Sequence, residues 1–189
     1  MSRTEIKIGG MGGQGVILSG YILGRAASIF SDRHATMIQA FGPEARGSAC
    51  SSQVIIDNNQ IDYPYIIAPN IMVILSQEAY NKFVPELASG GILITDEELV
   101  NPTALRKDIK HYSIPATRIA EELGKKMVIN IVIMGFFTAI TKLLEVESMR
   151  QAVLASVPIG TEELNLKAFN SGFEHGEKII KEELETSVV

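Results

Sequence analysis

A glycine-rich segment near the N-terminus has the residue types and the spacing of an anion-binding turn. It follows a short apolar strand pattern at residues 5–8 and contains the spacing Gly10-x-Gly12-x-x-Gly15. Glycine has no Cβ, so its backbone reaches positive φ and approaches a ligand or another chain closely. A helix that begins near Gln14 would also present unpaired N–H groups to an anion. A tight turn without a ligand fits the same pattern, and the turn alone leaves both alternatives open.

A second segment, residues 41–52, is irregular and carries opposite charges two positions apart, at Glu44 and Arg46. The planar fork of an arginine binds both oxygens of a phosphate or a carboxylate. We favour a contact outside the domain over an internal pair between Glu44 and Arg46, because loops above a rigid sheet often carry binding residues. For the N-terminal glycine-rich segment, a P-loop is excluded, since no Lys-Ser or Lys-Thr follows its glycines.

No arrangement of a nucleophile and a base stands out elsewhere, so we expect no catalytic residue in this chain. The histidines are scattered, at positions 34, 111 and 175. Cys50 is the single cysteine, which excludes an internal disulfide and a zinc or iron–sulfur site built by this chain alone. We expect Cys50 to behave as a small buried apolar residue. Any demanding chemistry must then come from a cofactor held mostly elsewhere.

The elements that must position these residues alternate between strand and helix patterns, which predicts an α/β layered fold. Several of the strand patterns are continuous apolar runs, as in strands covered on both faces. We predict strands at Glu5–Ile8, His34–Gln39, Ser52–Ile56, Asn70–Leu75, Gly91–Thr95 and His111–Ile114.

Helix patterns lie between and after these strands. Residues 14–31 and 77–88 are helical in pattern, the latter with a break at Pro85. Asn101-Pro102 has the form of an N-cap with proline in the first turn, and Ser148-x-x-Gln151 that of a capping box. A tail helix is expected over residues 161–185. The apolar stretch 127–140 is shorter than the roughly 20 residues of a membrane span and predicts a core helix.

Composition limits the class of protein. The chain has 189 residues, with 46% apolar and 21% charged residues and a formal net charge of −5. We expect one domain over residues 1–189 and no nucleic-acid partner, since no basic stripe is present. The N-terminus enters a strand pattern directly, so we expect no secretory signal. A cytoplasmic setting fits the single cysteine.

Five motifs occur in order along the chain, at Gly10–Gly15, Phe41–Gly47, Ile61–Pro64, Leu75–Tyr80 and Ala116–Ala120. Through these motifs the chain resembles the gamma subunits of the 2-oxoacid:ferredoxin oxidoreductases over nearly its whole length. The apolar helix led by Asn130 also fits that family.

The resemblance implies a three-layer α/β/α sandwich, like domain III of pyruvate–ferredoxin oxidoreductase, within a multi-subunit enzyme. Such an enzyme converts a 2-oxoacid and coenzyme A to an acyl-CoA and carbon dioxide, and passes electrons to ferredoxin. The resemblance places thiamine diphosphate on alpha and beta subunits, and iron–sulfur clusters on the beta or a small ferredoxin-like delta subunit. This chain would hold no cofactor alone, and coenzyme A would be a shared substrate.

The resemblance also implies which residues of this chain face that site. The cofactor-binding residues it implies are Gly12, Gly13, Gln14, Gly15, Glu44 and Arg46. The sequences of residues 61–64 and 76–80 are most like those of the 2-oxoglutarate branch of the family. Alternatives are the same role with pyruvate, a branched-chain 2-oxoacid or indolepyruvate, a free-standing nucleotide-binding module, or a purely structural subunit. The isolated chain could also form a homodimer through the apolar helix at 131–140.

Overall fold

The computed structural model of the chain describes residues 3–40, 49–103 and 105–186. Within those residues it contains six strands and six α-helices. The strands are β1 (Thr4–Met11), β2 (His34–Ala40), β3 (Ala49–Asp57), β4 (Ile71–Ile74), β5 (Ile92–Asp96) and β6 (Lys110–Ile114). The helices are α1 (Val16–Ser28), α2 (Gln77–Phe83), α3 (Ala116–Glu122), α4 (Ile129–Thr141), α5 (Val146–Leu154) and α6 (Glu162–Thr186).

The strands form one mixed sheet in the order β2-β3-β1-β4-β5-β6. Strand β1 is central and pairs antiparallel with β3 on one side and parallel with β4 on the other. Strands β4, β5 and β6 continue the parallel half, while β2 pairs antiparallel with β3 at the opposite edge. All six predicted strands are confirmed, and β1 runs three residues further than predicted, through Met11.

Alternate residues of the central strands enter apolar clusters on opposite faces of the sheet. On β4, Ile71 and Val73 join the larger cluster with residues of α1, α4 and α6, whereas Met72 and Ile74 join a smaller one with residues of α2. A strand that is buried on both faces reads as a continuous apolar run, which is why the sequence identified β4. The three-layer arrangement expected from the resemblance is confirmed.

Helices α4 and α6 cross at glycines that bring their backbones into contact. An ideal Cβ on Gly172 of α6 would lie 1.9 Å from the carbonyl oxygen of Val132 on α4. The contact is reciprocal, because a Cβ on Gly135 of α4 would lie 1.9 Å from the carbonyl oxygen of Phe169 on α6. The apolar stretch predicted as a core helix is therefore packed inside its own chain. Residues 130–140 are all buried, so the face that suggested a homodimer is already covered.

The predicted capping box at Ser148 is wrong. Helix α5 begins one turn earlier, at Val146, after Glu145. Ser148 lies inside the helix, and its hydroxyl donates to the carbonyl oxygen of Phe30 at 2.8 Å. Val146 is partly buried against the larger apolar cluster, and this packing favours a helix that begins at Val146.

The helix predicted from Asn101-Pro102 is also absent from the described residues that follow it, 103 and 105–109. The N–H of Asn101 donates to Oε1 of Gln77 at 2.8 Å, and the hydroxyl of Tyr80 donates to the carbonyl oxygen of Thr103 at 3.2 Å. Both contacts fasten this connection to α2. Tertiary hydrogen bonds thus decide its conformation against the local capping pattern.

The other helix predictions are confirmed, with small shifts at their ends. Helix α2 ends at Phe83 and continues as a single 3₁₀ turn at Val84–Glu86, which contains the expected break at Pro85. The tail helix spans Glu162–Thr186. None of the helices within the described residues is long and apolar enough to cross a membrane.

Candidate functional site

The glycine turn lies at the switch point of the sheet. From β1 the chain continues through α1 to β2 on one side, whereas from β4 it continues through α2 to β5 on the other. Neighbouring connections that leave in opposite directions open a crevice at the carboxyl ends of those two strands, and ligands of open α/β sheets bind in such crevices. The first candidate segment of the sequence therefore occupies the position where this type of fold binds ligands.

Two glycines of the turn adopt the left-handed conformation. Gly13 has φ +94° and Gly15 has φ +73°. Gly15 immediately precedes α1, which has neither a side-chain cap nor an acidic residue in its first turn. The first intrahelical bond runs from the N–H of Ser19 to the carbonyl oxygen of Gly15 at 2.9 Å. The N–H groups of residues 16–18 precede it and carry the positive end of the helix dipole.

Gly12 differs from the two left-handed glycines. Its φ lies outside the left-handed range, its surface is exposed, and an ideal Cβ would meet no atom of the described residues within 4 Å. Those residues therefore give no reason for glycine at this position. A ligand or a partner chain that approaches the backbone would give one.

Gln14 fixes the turn against the neighbouring strand. Its Oε1 accepts from the N–H of Met11 at 2.7 Å, and its Nε2 donates to the carbonyl oxygen of Leu75 at 2.8 Å. Leu75 directly follows β4, so these bonds join the two strand ends that form the crevice. The carboxamide of Gln14 is thus used inside the chain, where it positions the glycines.

Asn130 lies directly against Gly15. An ideal Cβ on Gly15 would be 2.5 Å from both Cγ and Nδ2 of Asn130, so only glycine fits here. Asn130 is the second residue of α4 and is 3% exposed. Its Nδ2 is buried and has no hydrogen-bond partner among the described residues. The sequence marked Asn130 only as the leading residue of an apolar helix.

The motif at residues 75–80 shapes the other side of the crevice. Ser76 is the N-cap of α2, and its hydroxyl accepts from the N–H of Ala79 at 3.2 Å. The carboxylate of Glu78 accepts from the N–H of Ala49 at 3.0 Å, which ties α2 to the first residue of β3. These side chains hold the elements around the crevice in place.

Glu44 and Arg46 lie outside the described residues. The described positions on either side of that segment, Ala40 and Ala49, end β2 and begin β3. Ala49 pairs with Met11, the last residue of β1. Both flanking positions therefore lie at the carboxyl end of β1, the same end of the sheet as the glycine turn.

A buried carboxylate that the sequence did not single out organises the end of β5. Asp96 is fully buried, and its Oδ1 accepts from the N–H groups of Glu98 and Leu99 at 2.8 and 3.0 Å. Its Oδ2 accepts from the N–H and the hydroxyl of Thr117 at 2.7 and 3.0 Å. Four hydrogen bonds occupy this carboxylate, so its role is to join β5 to the start of α3.

The remaining candidate groups fit structural roles. Cys50 is buried on β3, as expected, and burial raises the pKa of its thiol. His111 shares a 2.9 Å hydrogen bond with the hydroxyl of Thr95, and burial lowers the pKa of its imidazole. Over the part of the chain that the structure describes, no group of three or more His, Cys, Asp or Glu side chains could hold a metal ion.

Comparisons with known proteins agree with this architecture. The chain matches the family described as pyruvate ferredoxin/flavodoxin oxidoreductase over residues 5–175. The 2-oxoglutarate synthase subunit KorC of Methanocaldococcus jannaschii is 48% identical over 174 residues, which are 91% of this chain and 93% of the relative.

Two solved structures share the fold. The gamma subunit of a keto/oxoacid ferredoxin oxidoreductase from Geobacter sulfurreducens PCA has a TM-score of 0.83 and 38% identity, covering 92% of this chain and 96% of that one. The 2-oxoglutarate:ferredoxin oxidoreductase from Magnetococcus marinus, solved with 2-oxoglutarate, coenzyme A and succinyl-CoA bound, has a TM-score of 0.84 and 18% identity. It covers 94% of this chain and 32% of that one.

Proposed function

This chain belongs to the pyruvate ferredoxin/flavodoxin oxidoreductase family, as the gamma subunit of a 2-oxoacid:ferredoxin oxidoreductase, and we propose that it positions coenzyme A in that enzyme and helps to close the active-site cleft. The 2-oxoacid substrate in this proposal is 2-oxoglutarate, because the relative that is 48% identical is a subunit of a 2-oxoglutarate synthase. The products are succinyl-CoA and carbon dioxide, and the electrons pass to ferredoxin.

The observation that carries the coenzyme A assignment is Gly12. It sits in the crevice at the switch point, and the described part of the chain does not require glycine there. The adjacent start of α1 presents the N–H groups of its first turn, which no side chain of the described residues caps, at the positive end of a helix dipole. These features suit the phosphate groups of a carrier such as coenzyme A, and the turn would contact it through Gly12, Gly13 and Gly15.

The chemistry itself would belong to partner subunits. With one cysteine in its whole sequence, this chain cannot supply the four thiolates of an iron–sulfur cluster by itself. We therefore assign thiamine diphosphate and the iron–sulfur clusters to alpha, beta and delta subunits. Thiamine diphosphate would supply the nucleophilic ylid and the electron sink for decarboxylation. This chain would orient the thiol of coenzyme A towards that site and limit the entry of water.

The test is to coexpress the full chain with its alpha and beta partners and to assay the purified complex for viologen reduction. We expect reduction that requires both 2-oxoglutarate and coenzyme A, from a complex that contains thiamine diphosphate and iron–sulfur clusters. Activity with another 2-oxoacid would retain the role and overturn the substrate. A chain that purifies alone and binds nucleotides tightly would replace this proposal with a free-standing binding module.

A further inference from the structure

We infer that the side-chain carboxamide of Asn130 donates a hydrogen bond to a phosphate group bound at the start of α1. The inference rests on the proposed function, because that phosphate is taken to be one of those in coenzyme A. It assigns a ligand contact to a residue outside the glycine motif, on a helix more than a hundred positions further along the chain.

Two helix N-termini meet at this point. Gly15 is the residue before α1, and Asn130 is the second residue of α4. Both helices are 13 residues long, and neither has a side-chain cap or an acidic residue in its first turn. Each N-terminus carries roughly half a positive charge from its peptide dipoles. An anion near Gly15 and Asn130 would therefore interact favourably with both helices.

The amide of Asn130 supplies a donor that has no acceptor among residues 3–40, 49–103 and 105–186. Buried side-chain polar atoms nearly always have a partner, so a buried N–H group that has none among the described residues points to a group outside them, such as a bound ligand. Because Nδ2 lies against Gly15, its free N–H group is adjacent to the turn that we propose binds coenzyme A. A phosphate oxygen accepts from such a donor in a charge-assisted hydrogen bond.

The structure also accounts for the arrangement of glycine and asparagine. The side chain of Asn130 occupies the volume that a Cβ on Gly15 would need. A larger residue at position 15 would push the carboxamide away from the start of α1. Gly15 is therefore required both for its left-handed φ and for the placement of the Asn130 amide.

The test compares variants at Asn130 within the complete complex. Asn130→Ala removes the donor, and Asn130→Asp keeps the shape but places a negative charge at the phosphate. Asn165→Ala is the matched control, because Asn165 is a buried asparagine whose Nδ2 already donates to the carbonyl oxygen and hydroxyl of Thr161, at 2.8 and 3.0 Å.

We expect Asn130→Ala to raise the calorimetric Kd for coenzyme A about tenfold to a hundredfold, since a hydrogen bond to a charged group is lost. Asn130→Asp should raise it further, and Asn165→Ala should leave it unchanged. The KM for 2-oxoglutarate should stay constant throughout. Titration with dephospho-CoA, which lacks the 3′-phosphate, identifies the phosphate. If Asn130 contacts the diphosphate, Asn130→Ala also raises the Kd for dephospho-CoA. If it contacts the 3′-phosphate, the variant and the wild type bind dephospho-CoA with the same Kd.

An unchanged Kd for coenzyme A in both Asn130 variants, with tight binding by the wild-type complex, would overturn the inference and leave the proposed function standing. Loss of the assembled complex in both variants would also overturn it, because Asn130 would then support the fold or the interface. A wild-type complex that neither binds nor uses coenzyme A would refute the proposed function itself, and this inference with it.

Discussion

The crossing of α4 and α6 makes a quantitative prediction about two glycines in different helices. Replacing Gly172 by alanine would place a Cβ 1.9 Å from the carbonyl oxygen of Val132. To restore an ordinary contact the two backbones must separate by about 1.5 Å. Separation on that scale also weakens the reciprocal contact between Gly135 and Phe169, so the whole crossing is affected.

The expected magnitude combines two opposing contributions. Overpacking of a tight core typically costs about 1–3 kcal/mol, while alanine in place of glycine stabilises a helix interior by about 0.8–1.0 kcal/mol. The net loss is therefore about 0–2 kcal/mol. Because the clash involves backbone atoms that cannot rotate away, we expect the upper end of this range, so Gly172→Ala should lower the free energy of unfolding by about 2 kcal/mol. For a chain of this size that corresponds to a fall in Tm of about 4–8 °C.

Gly24 provides the matched control. It lies within α1, and an ideal Cβ there would meet nothing within 4 Å among the described residues. Gly24→Ala should therefore raise the free energy of unfolding by about 0.5–1 kcal/mol. Denaturant unfolding of the full chain, followed by circular dichroism, measures both variants. If Gly172→Ala were as stable as Gly24→Ala, the close crossing of α4 and α6 would be wrong.

Three further predictions concern other parts of the chain. Asp96→Asn should lower the free energy of unfolding by about 3 kcal/mol, because the amide keeps one accepting oxygen but its NH2 group cannot accept from the N–H groups that the other carboxylate oxygen joins; an unchanged denaturation midpoint would contradict the role given to Asp96. Burial lowers the pKa of His111, so its contribution to stability is complete above the unfolded pKa of about 6.5 and is lost as the pH falls below it. Denaturant unfolding of His111→Gln between pH 7 and pH 5 should show a shallower loss of stability than the wild type, and parallel curves would count against it. Arg46→Ala, whose basis is the sequence alone, should raise the KM for coenzyme A without loss of assembly in kinetics of the purified complex, whereas unchanged coenzyme A kinetics would remove Arg46 from the site.

Much of the fold could be predicted because burial leaves a periodic trace in the sequence. Strands β4 and β5 are apolar runs since both of their faces are covered, and β1 leads directly into a glycine turn. The local sequence pattern does not predict the extension of β1 through Gly9 and Gly10, because glycine has a low propensity for strands. There, close packing requires it: an ideal Cβ on Gly9 would lie 2.7 Å from the ring of Phe83.

The site could be predicted only in part, for a physical reason. The glycine turn is a local feature, so its spacing is visible in the sequence. The roles of Gln14, Asp96 and Asn130 depend on partners that are distant in sequence, such as Leu75 and Thr117. No local pattern can reveal whether a buried amide has a partner, because the answer lies in tertiary packing.

The most direct test of the central claim is the KM for coenzyme A of the complete complex that carries Gly12→Ala in this chain. The described residues leave open space for the added methyl group, so the unfolding midpoint and the assembly of the complex should match the wild type. If the turn approaches coenzyme A, that methyl group obstructs it, and the KM for coenzyme A should rise at least tenfold while the KM for 2-oxoglutarate stays constant. An unchanged KM for coenzyme A would contradict the claim that this turn positions coenzyme A, and loss of assembly would show that the turn contacts a partner chain instead.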